Sequence, residues 1–92
     1  FPFFIVCEKN YIQLVEMFLE IKKTKKRDIG LNKLRYDLTC PFFIACQNRN
    51  EQIVKLLLLE KDLDPNIKRQ SGYNALHISA NQGDENIVSI LI

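Results

Sequence analysis

Residues 40–58 decide the fold of this chain, and they read CPFFIACQNRNEQIVKLLL. Pro41 suits a first helical position, because its missing N–H would have no partner there in any case. The polar residues 47–50 then interrupt the apolar pattern, and a second, more apolar stretch follows at residues 51–59. Two short amphipathic helices joined by a tight turn form a helical hairpin. This stretch therefore predicts one pair of antiparallel helices.

The same pattern occurs three times, at residues 1–19, 40–58 and 74–92. The first two copies are offset by 39 residues, and the second and third by 34. The identities at the first offset are Pro2/Pro41, Phe3/Phe42, Phe4/Phe43, Ile5/Ile44, Cys7/Cys46, Gln13/Gln52, Val15/Val54 and Leu19/Leu58. A period in the thirties with two apolar helices per unit is typical of a solenoid, in which each helix pair buries its apolar face against its neighbours.

We therefore expect an all-α fold, a solenoid of stacked antiparallel helix pairs joined by extended loops or β-hairpin fingers. The repeat helices are predicted at residues 1–21, 40–60 and 74–92, and the fingers at 22–39 and 61–73. Asn10 and Gly83 lie in the tight turns and are expected to adopt the left-handed backbone conformation. Because terminal repeats normally carry a polar outer face, these apolar ends lead us to expect one array within a longer protein.

The repeat resembles the ankyrin family, whose helix-start pattern is T-P-L-H-x-A. The matching stretches read FPFFIVC at residues 1–7, CPFFIAC at 40–46 and NALHISA at 74–80. The second-helix pattern I-V-x-L-L-L appears as IVKLLL at residues 53–58, and the finger pattern D-x-N appears as DPN at 64–66. The Thr is replaced in all three copies and the His in two. We therefore expect the hydrogen bonds of those residues to be missing, with Phe4 and Phe43 substituting packing for polarity.

Composition indicates no particular partner, since a net charge of +2 with 26% charged residues is ordinary for a soluble protein. No apolar run approaches the roughly 18 residues of a membrane span. Cys7 and Cys46 occupy equivalent positions on helices that should stack roughly 8–10 Å apart, which is too far for a disulfide. We therefore expect buried free thiols and an intracellular, reducing compartment, namely the cytoplasm, with the nucleus as an alternative.

No group of residues has the spacing of a catalytic, metal or cofactor site. His77 is the only histidine, and its place in the repeat motif predicts a structural hydrogen bond. The three glycines are scattered at Gly30, Gly72 and Gly83 and form no phosphate-binding loop. The three cysteines lack the spacing of metal ligands. The sequence therefore predicts a protein that is not an enzyme and that holds neither a cofactor nor a metal.

The first finger contains the basic run KKTKKR at residues 22–27, with five positive charges in six residues. One interpretation is a solvated, partly mobile insertion, which costs little because long surface loops are cheap to close. The alternatives are a nuclear-import signal, a contact for an acidic partner, or a contact for nucleic acid or anionic lipid. Nucleic acid is disfavoured, because no aromatic residues interleave with the basic ones to stack on bases.

The resemblance implies a concave groove, lined by fingers and first helices, that binds other proteins. Tyr36 and Tyr73 lie in the two fingers, where they either anchor a partner or pack on their neighbours. The positions carried over as partner-binding are Glu8, Lys9, Tyr36, Asp37, Thr39, Gln47, Asn48, Lys68, Gln70, Ser71, Tyr73, Asn81 and Gln82. The sequence thus predicts a non-catalytic protein–protein interaction scaffold. The alternatives are a regulatory or targeting region of a larger enzyme or channel, and a structural subunit of a large assembly.

Overall fold

The computed structural model describes residues 2–67 and 72–92. The helices within these ranges are α1 (Pro2–Glu8), α2 (Ile12–Lys25), α3 (Pro41–Gln47), α4 (Glu51–Leu58), α5 (Ala75–Asn81) and α6 (Glu85–Leu91). The odd-numbered helices contact one another in sequence as one layer, and the even-numbered helices form the second layer. No strand forms in the described residues, so the connections described there are loops. The predicted all-α solenoid of helix pairs is confirmed.

The core lies between the two helix layers and is most completely closed in the middle pair. Every residue of α3 from Pro41 to Cys46 is buried. Ile53, Val54 and Leu57 of α4 have no exposed surface. Because fully burying one aliphatic or aromatic side chain contributes roughly 1.5–3 kcal/mol, the middle pair is the main apolar source of stability.

The tight turn inside each helix pair contains one left-handed residue at the equivalent position. The φ angles are 61° for Asn10, 58° for Arg49 and 68° for Gly83. The predictions for Asn10 and Gly83 are confirmed. Arg49 adopts the same conformation without a small side chain, and its guanidinium donates a 2.8 Å hydrogen bond to the carbonyl of Gln82. This contact with the next turn offsets part of the cost of the left-handed backbone.

The helix starts keep hydrogen bonds that the sequence led us to expect to be missing. In the second copy, the Sγ of Cys40 accepts the N–H of Phe43 at 3.4 Å. In the third copy, the side chain of Asn74 accepts the N–H of His77, and His77 Nδ1 accepts the N–H of Asn74, each at 3.1 Å. The expectation is wrong for these two copies, because a thiol and an amide oxygen replace the threonine hydroxyl as caps. His77 has the predicted structural role.

Helix α2 continues through Lys25, four residues beyond its predicted end at 21. Lysine is a good helix former, and three lysines in the last turn interact favourably with the negative end of the helix. The helix ends at Lys25, and the capping residue that follows, Lys26, is left-handed with a φ of 51°. The basic run is therefore mostly the end of a helix, and only its last residues belong to the loop.

The three cysteines, Cys7, Cys40 and Cys46, are buried free thiols, as predicted for Cys7 and Cys46. Burial raises the pKa of Cys7 and of Cys46 to about 12. At neutral pH both side chains are therefore protonated, and they pack as small apolar groups.

Candidate functional site

The first loop holds Tyr36 near the tip of a tight turn. The N–H of Leu38 donates to the carbonyl of Arg35 at 2.8 Å, and the N–H of Arg35 donates to the carbonyl of Thr39 at 2.7 Å. These two bonds fix the backbone on both sides of Tyr36. Its side chain is 92% exposed, so the turn presents an almost fully accessible aromatic ring.

The side chain of Arg35 fastens this turn to helix α1. Its guanidinium donates to both carboxylate oxygens of Asp37, at 3.2 and 2.7 Å. The same group lies 4.5 Å from the centre of the Phe4 ring and 3.8 Å from the carboxylate of Glu8. An arginine fork on a carboxylate combined with stacking on an aromatic ring is a rigid arrangement. The turn is therefore preorganised by contacts with the helix layer.

The carboxylate of Asp37 accepts the side-chain hydrogen bonds that hold the turn together. The hydrogen bonds from Arg35, followed by those from Thr39, hold the pKa of the Asp37 carboxyl well below its usual range. Thr39 donates to Asp37 Oδ1 through its hydroxyl at 2.5 Å and through its N–H at 3.1 Å. Thr39 is only 3% exposed. Thr39, which was carried over as a partner-binding position, is therefore enclosed, and its side chain supports Asp37.

Tyr73, the aromatic residue of the second loop, has a different environment. It is half-buried, and its ring stacks on the His77 ring with 5.4 Å between centres and 26° between planes. It also lies 6.4 Å from the Phe43 ring. Of the two interpretations left open for the tyrosines, packing on neighbours describes Tyr73, while Tyr36 retains the exposure that an anchor needs.

The ends of the first helices form a continuous polar row, which we call the helix-end row and define as Glu8, Lys9, Gln47, Asn48, Asn81 and Gln82. Asn48 Nδ2 donates to the carbonyl of Glu8 at 3.2 Å, and Gln82 Nε2 donates to the carbonyl of Gln47 at 2.7 Å. Each amide thus reaches back to the main chain of the preceding helix pair. Since Glu8 also lies near Arg35, the row is joined to the Tyr36 turn.

The ten candidate residues that the structure describes fall into three groups by burial. Exposed are Lys9, Tyr36, Gln47, Asn48 and Asn81; half-buried are Glu8, Asp37, Tyr73 and Gln82; buried is Thr39. The remaining three, Lys68, Gln70 and Ser71, lie outside the described residues. Sequence reasoning missed Arg35, for which the only local signal is the spacing of an arginine two residues before an aspartate.

Lys22 is a second residue whose role the sequence did not reveal. Its Nζ lies 2.9 Å from Asp62 Oδ2 and 3.4 Å from Glu60 Oε1. Asn32 strengthens this bridge by donating to the carbonyl of Asp62 at 2.7 Å and accepting the N–H of Asp64 at 2.8 Å. These contacts tie the basic end of α2 and the first loop to the start of the second loop. The basic residues after Lys22 in the run are exposed.

Over residues 2–67 and 72–92, no group of three His, Cys, Asp or Glu side chains is placed to hold a metal ion. None of the helices described has the length and apolar character needed to cross a bilayer.

Stacked helix pairs with loops fastened to their edges define the class of helical-repeat solenoids, in which each unit contacts its neighbours and the array presents an extended surface. A profile of the ankyrin-repeat family, described as ankyrin repeats in three copies, matches residues 3–92, and the chain belongs to this family. Ankyrin repeats are in general non-catalytic modules for protein interaction.

Two larger proteins contain segments similar to this chain. The tyrosine-protein kinase HTK16 of Hydra vulgaris is 38% identical over 64 residues, which is 67% of this chain. The human transient receptor potential cation channel subfamily A member 1 is 26% identical over 91 residues, which is 99% of this chain. In each case the match covers only 8% of the relative's own length.

Proposed function

We propose that this chain binds a partner protein and that Tyr36 is the anchor of the contact. The observation that carries this proposal is the 92% exposure of Tyr36 on a turn that its neighbours hold rigid. Tyrosine is among the residues that dominate interface energies, because it offers a large contact area for few rotatable bonds. Because the turn is already ordered by Arg35 and Asp37, little conformational entropy is lost on binding.

The proposed contact extends from the Tyr36 turn across Glu8 to the helix-end row. The exposed part of this row is polar, consisting of lysine and amide side chains. A partner would be held by hydrogen bonds around one aromatic anchor, which is the ordinary composition of a transient interface. Asp37, Tyr73 and the second-loop residues Lys68, Gln70 and Ser71 belong to the proposed surface through the family resemblance.

The test compares the proteins retained by wild type, by Tyr36→Ala and by Tyr11→Ala on an affinity resin loaded with lysate from the protein's own cells. Tyr11 is a matched control, because it is also an exposed tyrosine, at 52%, but lies at the start of α2. We expect Tyr36→Ala to lose at least one protein that the other two retain. Truncating an anchor residue typically costs 2 kcal/mol or more, which corresponds to about a thirtyfold loss of affinity.

The proposal is wrong if all three baits retain the same proteins while circular dichroism shows the same helicity. Tyr73→Ala is a useful fourth bait. Because Tyr73 stacks on His77, we expect its removal to lower the urea midpoint, whereas removal of Tyr36 should leave the midpoint unchanged. A loss of binding in Tyr73→Ala alone, with unaltered stability, would move the anchor to the second loop.

A second candidate function is a regulatory or targeting region within a larger enzyme or channel. Its support is that the two relatives are a kinase and a channel, of which the matched segment is a small part. The full-length coding sequence decides this point. A catalytic or membrane domain on the same chain would favour it, and the Tyr36 turn would then be tested against that domain as the bait.

A further inference from the structure

The first loop holds a leucine in a backbone conformation that favours glycine. Leu38 has a φ of 66°, and its equivalent 34 residues later is Gly72, with a φ of 81°. In the left-handed region the Cβ of an L-residue lies too close to the following carbonyl oxygen, and leucine has no polar group for a compensating local hydrogen bond. Leu38 is therefore strained, whereas a glycine would adopt the same conformation freely.

Contacts with the core do not account for this leucine. Leu38 is half-buried, but it is not among the partly buried side chains that pack against the core of the described residues. Its N–H donates to the carbonyl of Arg35 at 2.8 Å, a bond that a glycine would form equally. A Cβ added at the equivalent Gly72 would meet no atom of the described residues within 4 Å. No core packing therefore offsets the strain at Leu38.

Leu38 is one of three large, mainly apolar side chains at alternate positions of the turn, which we call the loop trio. They are Leu34, Tyr36 and Leu38. Leu34 is 38% exposed and Tyr36 is 92% exposed. The side-chain hydrogen bonds that hold the turn come from the residues in between, at positions 35, 37 and 39. The loop trio takes no part in those bonds, and backbone strain at such a place is typical of a functional site.

We propose that Leu38 is a second contact residue for the partner protein that Tyr36 anchors, with Leu34 at the edge of the same contact. The partner surface that fits is an apolar pocket, which receives the Tyr36 ring and encloses both leucines. A shaped pocket is required, because Leu38 is half-buried and a flat surface resting on the more exposed tyrosine would not reach it. This inference rests on the proposed function, since it names further residues of the same site and the chemistry of what they meet.

A protein pocket fits this turn better than a lipid bilayer does. The side chains of Arg35 and Asp37 form an ion pair between members of the loop trio, and they are 32% and 30% exposed. Burying the tip of the turn in hydrocarbon would remove water from this pair, which is costly for charged groups. A pocket that covers only the loop trio leaves the pair at its rim, in contact with water.

Leu38→Gly tests the inference, because it removes the side chain and the strain together. We expect its melting temperature to rise by about 2–8 °C. The probe for binding is the protein that wild type retains from the lysate and that Tyr36→Ala loses. Depletion of this protein over a series of bait concentrations should show that Leu38→Gly binds it roughly fivefold more weakly, or worse. Loss of folding cannot produce a more stable chain that binds less well.

Three control variants separate the effect of the side chain from that of the backbone. Lys26→Gly relieves another left-handed residue and should bind like wild type. Leu38→Met keeps an apolar side chain of similar size and should also bind like wild type. Leu38→Asn suits the left-handed backbone without the flexibility of glycine, and it should bind as weakly as Leu38→Gly.

A Leu38→Gly variant that binds like wild type would overturn the inference and leave Tyr36 as the anchor. So would equal weakening in Lys26→Gly, or a melting temperature that falls in Leu38→Gly, since the leucine would then support the fold. Sedimentation with vesicles of phosphatidylcholine and phosphatidylserine examines the bilayer. Wild type that sediments with the vesicles, while Leu38→Asn stays in solution, would assign the loop trio to a membrane and overturn the protein pocket. If Tyr36→Ala loses no protein, the proposed function fails and this inference fails with it.

Discussion

The middle helix pair and the first connecting loop are held together by different forces. In the middle pair, Ile53, Val54 and Leu57 are fully enclosed and no charged side chain is buried with them. In the first loop, stability comes from the pairing of Arg35 with Asp37, and beside it Lys22 of α2 pairs with Asp62 of the second loop. The two regions adjoin, but the middle pair is stabilised by the burial of apolar surface and the first loop by paired charges.

This difference separates the helical scaffold from the proposed partner surface. Apolar burial responds to side-chain volume and is indifferent to moderate changes of pH or salt. Ion pairs that are about one-third open to water respond to both. Changes of conditions or mutations can therefore alter the loop while the helix stack remains intact, so the fold should tolerate changes in the proposed partner surface.

The largest expected effect comes from a charge placed in the middle pair. Leu57→Asp removes a fully buried side chain and encloses a carboxylate without a partner, at a cost on the order of 5 kcal/mol. This is comparable to the total stability of a small domain, so the array should unfold. Circular dichroism would show the loss of helicity.

The matched control is Leu59→Asp, which makes the same replacement two residues later, where the side chain is 80% exposed. It should keep native helicity and a nearly unchanged urea midpoint. Native helicity in Leu57→Asp, or collapse in Leu59→Asp, would contradict the division between core and surface.

A smaller effect is expected from Asp37→Asn in the loop. The substitution keeps the shape of the side chain but removes the charge paired with Arg35. At neutral pH we expect a loss of about 0.5–1 kcal/mol, because the pair is partly open to water. Urea denaturation followed by circular dichroism would measure it.

The pH dependence of this loss identifies its cause. Hydrogen bonds from Arg35 lower the pKa of Asp37 below the ordinary value of 3.8. The stability that the carboxylate contributes is therefore complete above that value and is lost as the pH falls through the lowered pKa. The gap between wild type and Asp37→Asn should be constant above about pH 5 and should narrow towards about pH 2. A stability difference of equal size at about pH 5 and about pH 2 would exclude the charge of Asp37 as its cause.

The smallest expected effect is an increase in stability, produced by a substitution at the end of α2, where the first loop begins. Lys26 is exposed and left-handed, with a φ of 51°, a conformation that glycine adopts without strain. Lys26→Gly should stabilise the chain by about 0.5–1 kcal/mol. Lys25→Gly, one residue earlier and inside the helix, should cost about 1 kcal/mol. Thermal unfolding measures whether each substitution raises or lowers the melting temperature. If both substitutions change the melting temperature in the same direction, α2 does not end at Lys25.

The features that follow a local pattern could be predicted from the sequence. The periodic apolar residues predicted the helix pairs, and small polar or glycine residues predicted the left-handed turns at Asn10 and Gly83. The repeat of Cys7 at Cys46 predicted two buried thiols. Each of these conclusions depends on residues close in sequence or at a fixed offset, which a single chain displays directly.

The features that could not be predicted join residues far apart in sequence without a repeating signal. Lys22 and Asp62 are 40 residues apart, and neither residue type specifies its partner. Thr39 looked like a loop residue, but the bonds to Asp37 enclose it. The cap at Cys40 was missed because a thiol is a weak acceptor that is seldom expected to replace a hydroxyl. Such pairings depend on the folded geometry.

In the helix-end row, the amide side chains of Asn48 and Gln82 donate hydrogen bonds to backbone carbonyls of the preceding helix pair, those of Glu8 and Gln47 respectively. A carbonyl is present whatever side chain its residue carries. These contacts between neighbouring helix pairs therefore do not depend on the side chains of Glu8 or Gln47. A change of side chain at Gln47, which is exposed, would therefore leave the contact between the second and third helix pairs in place.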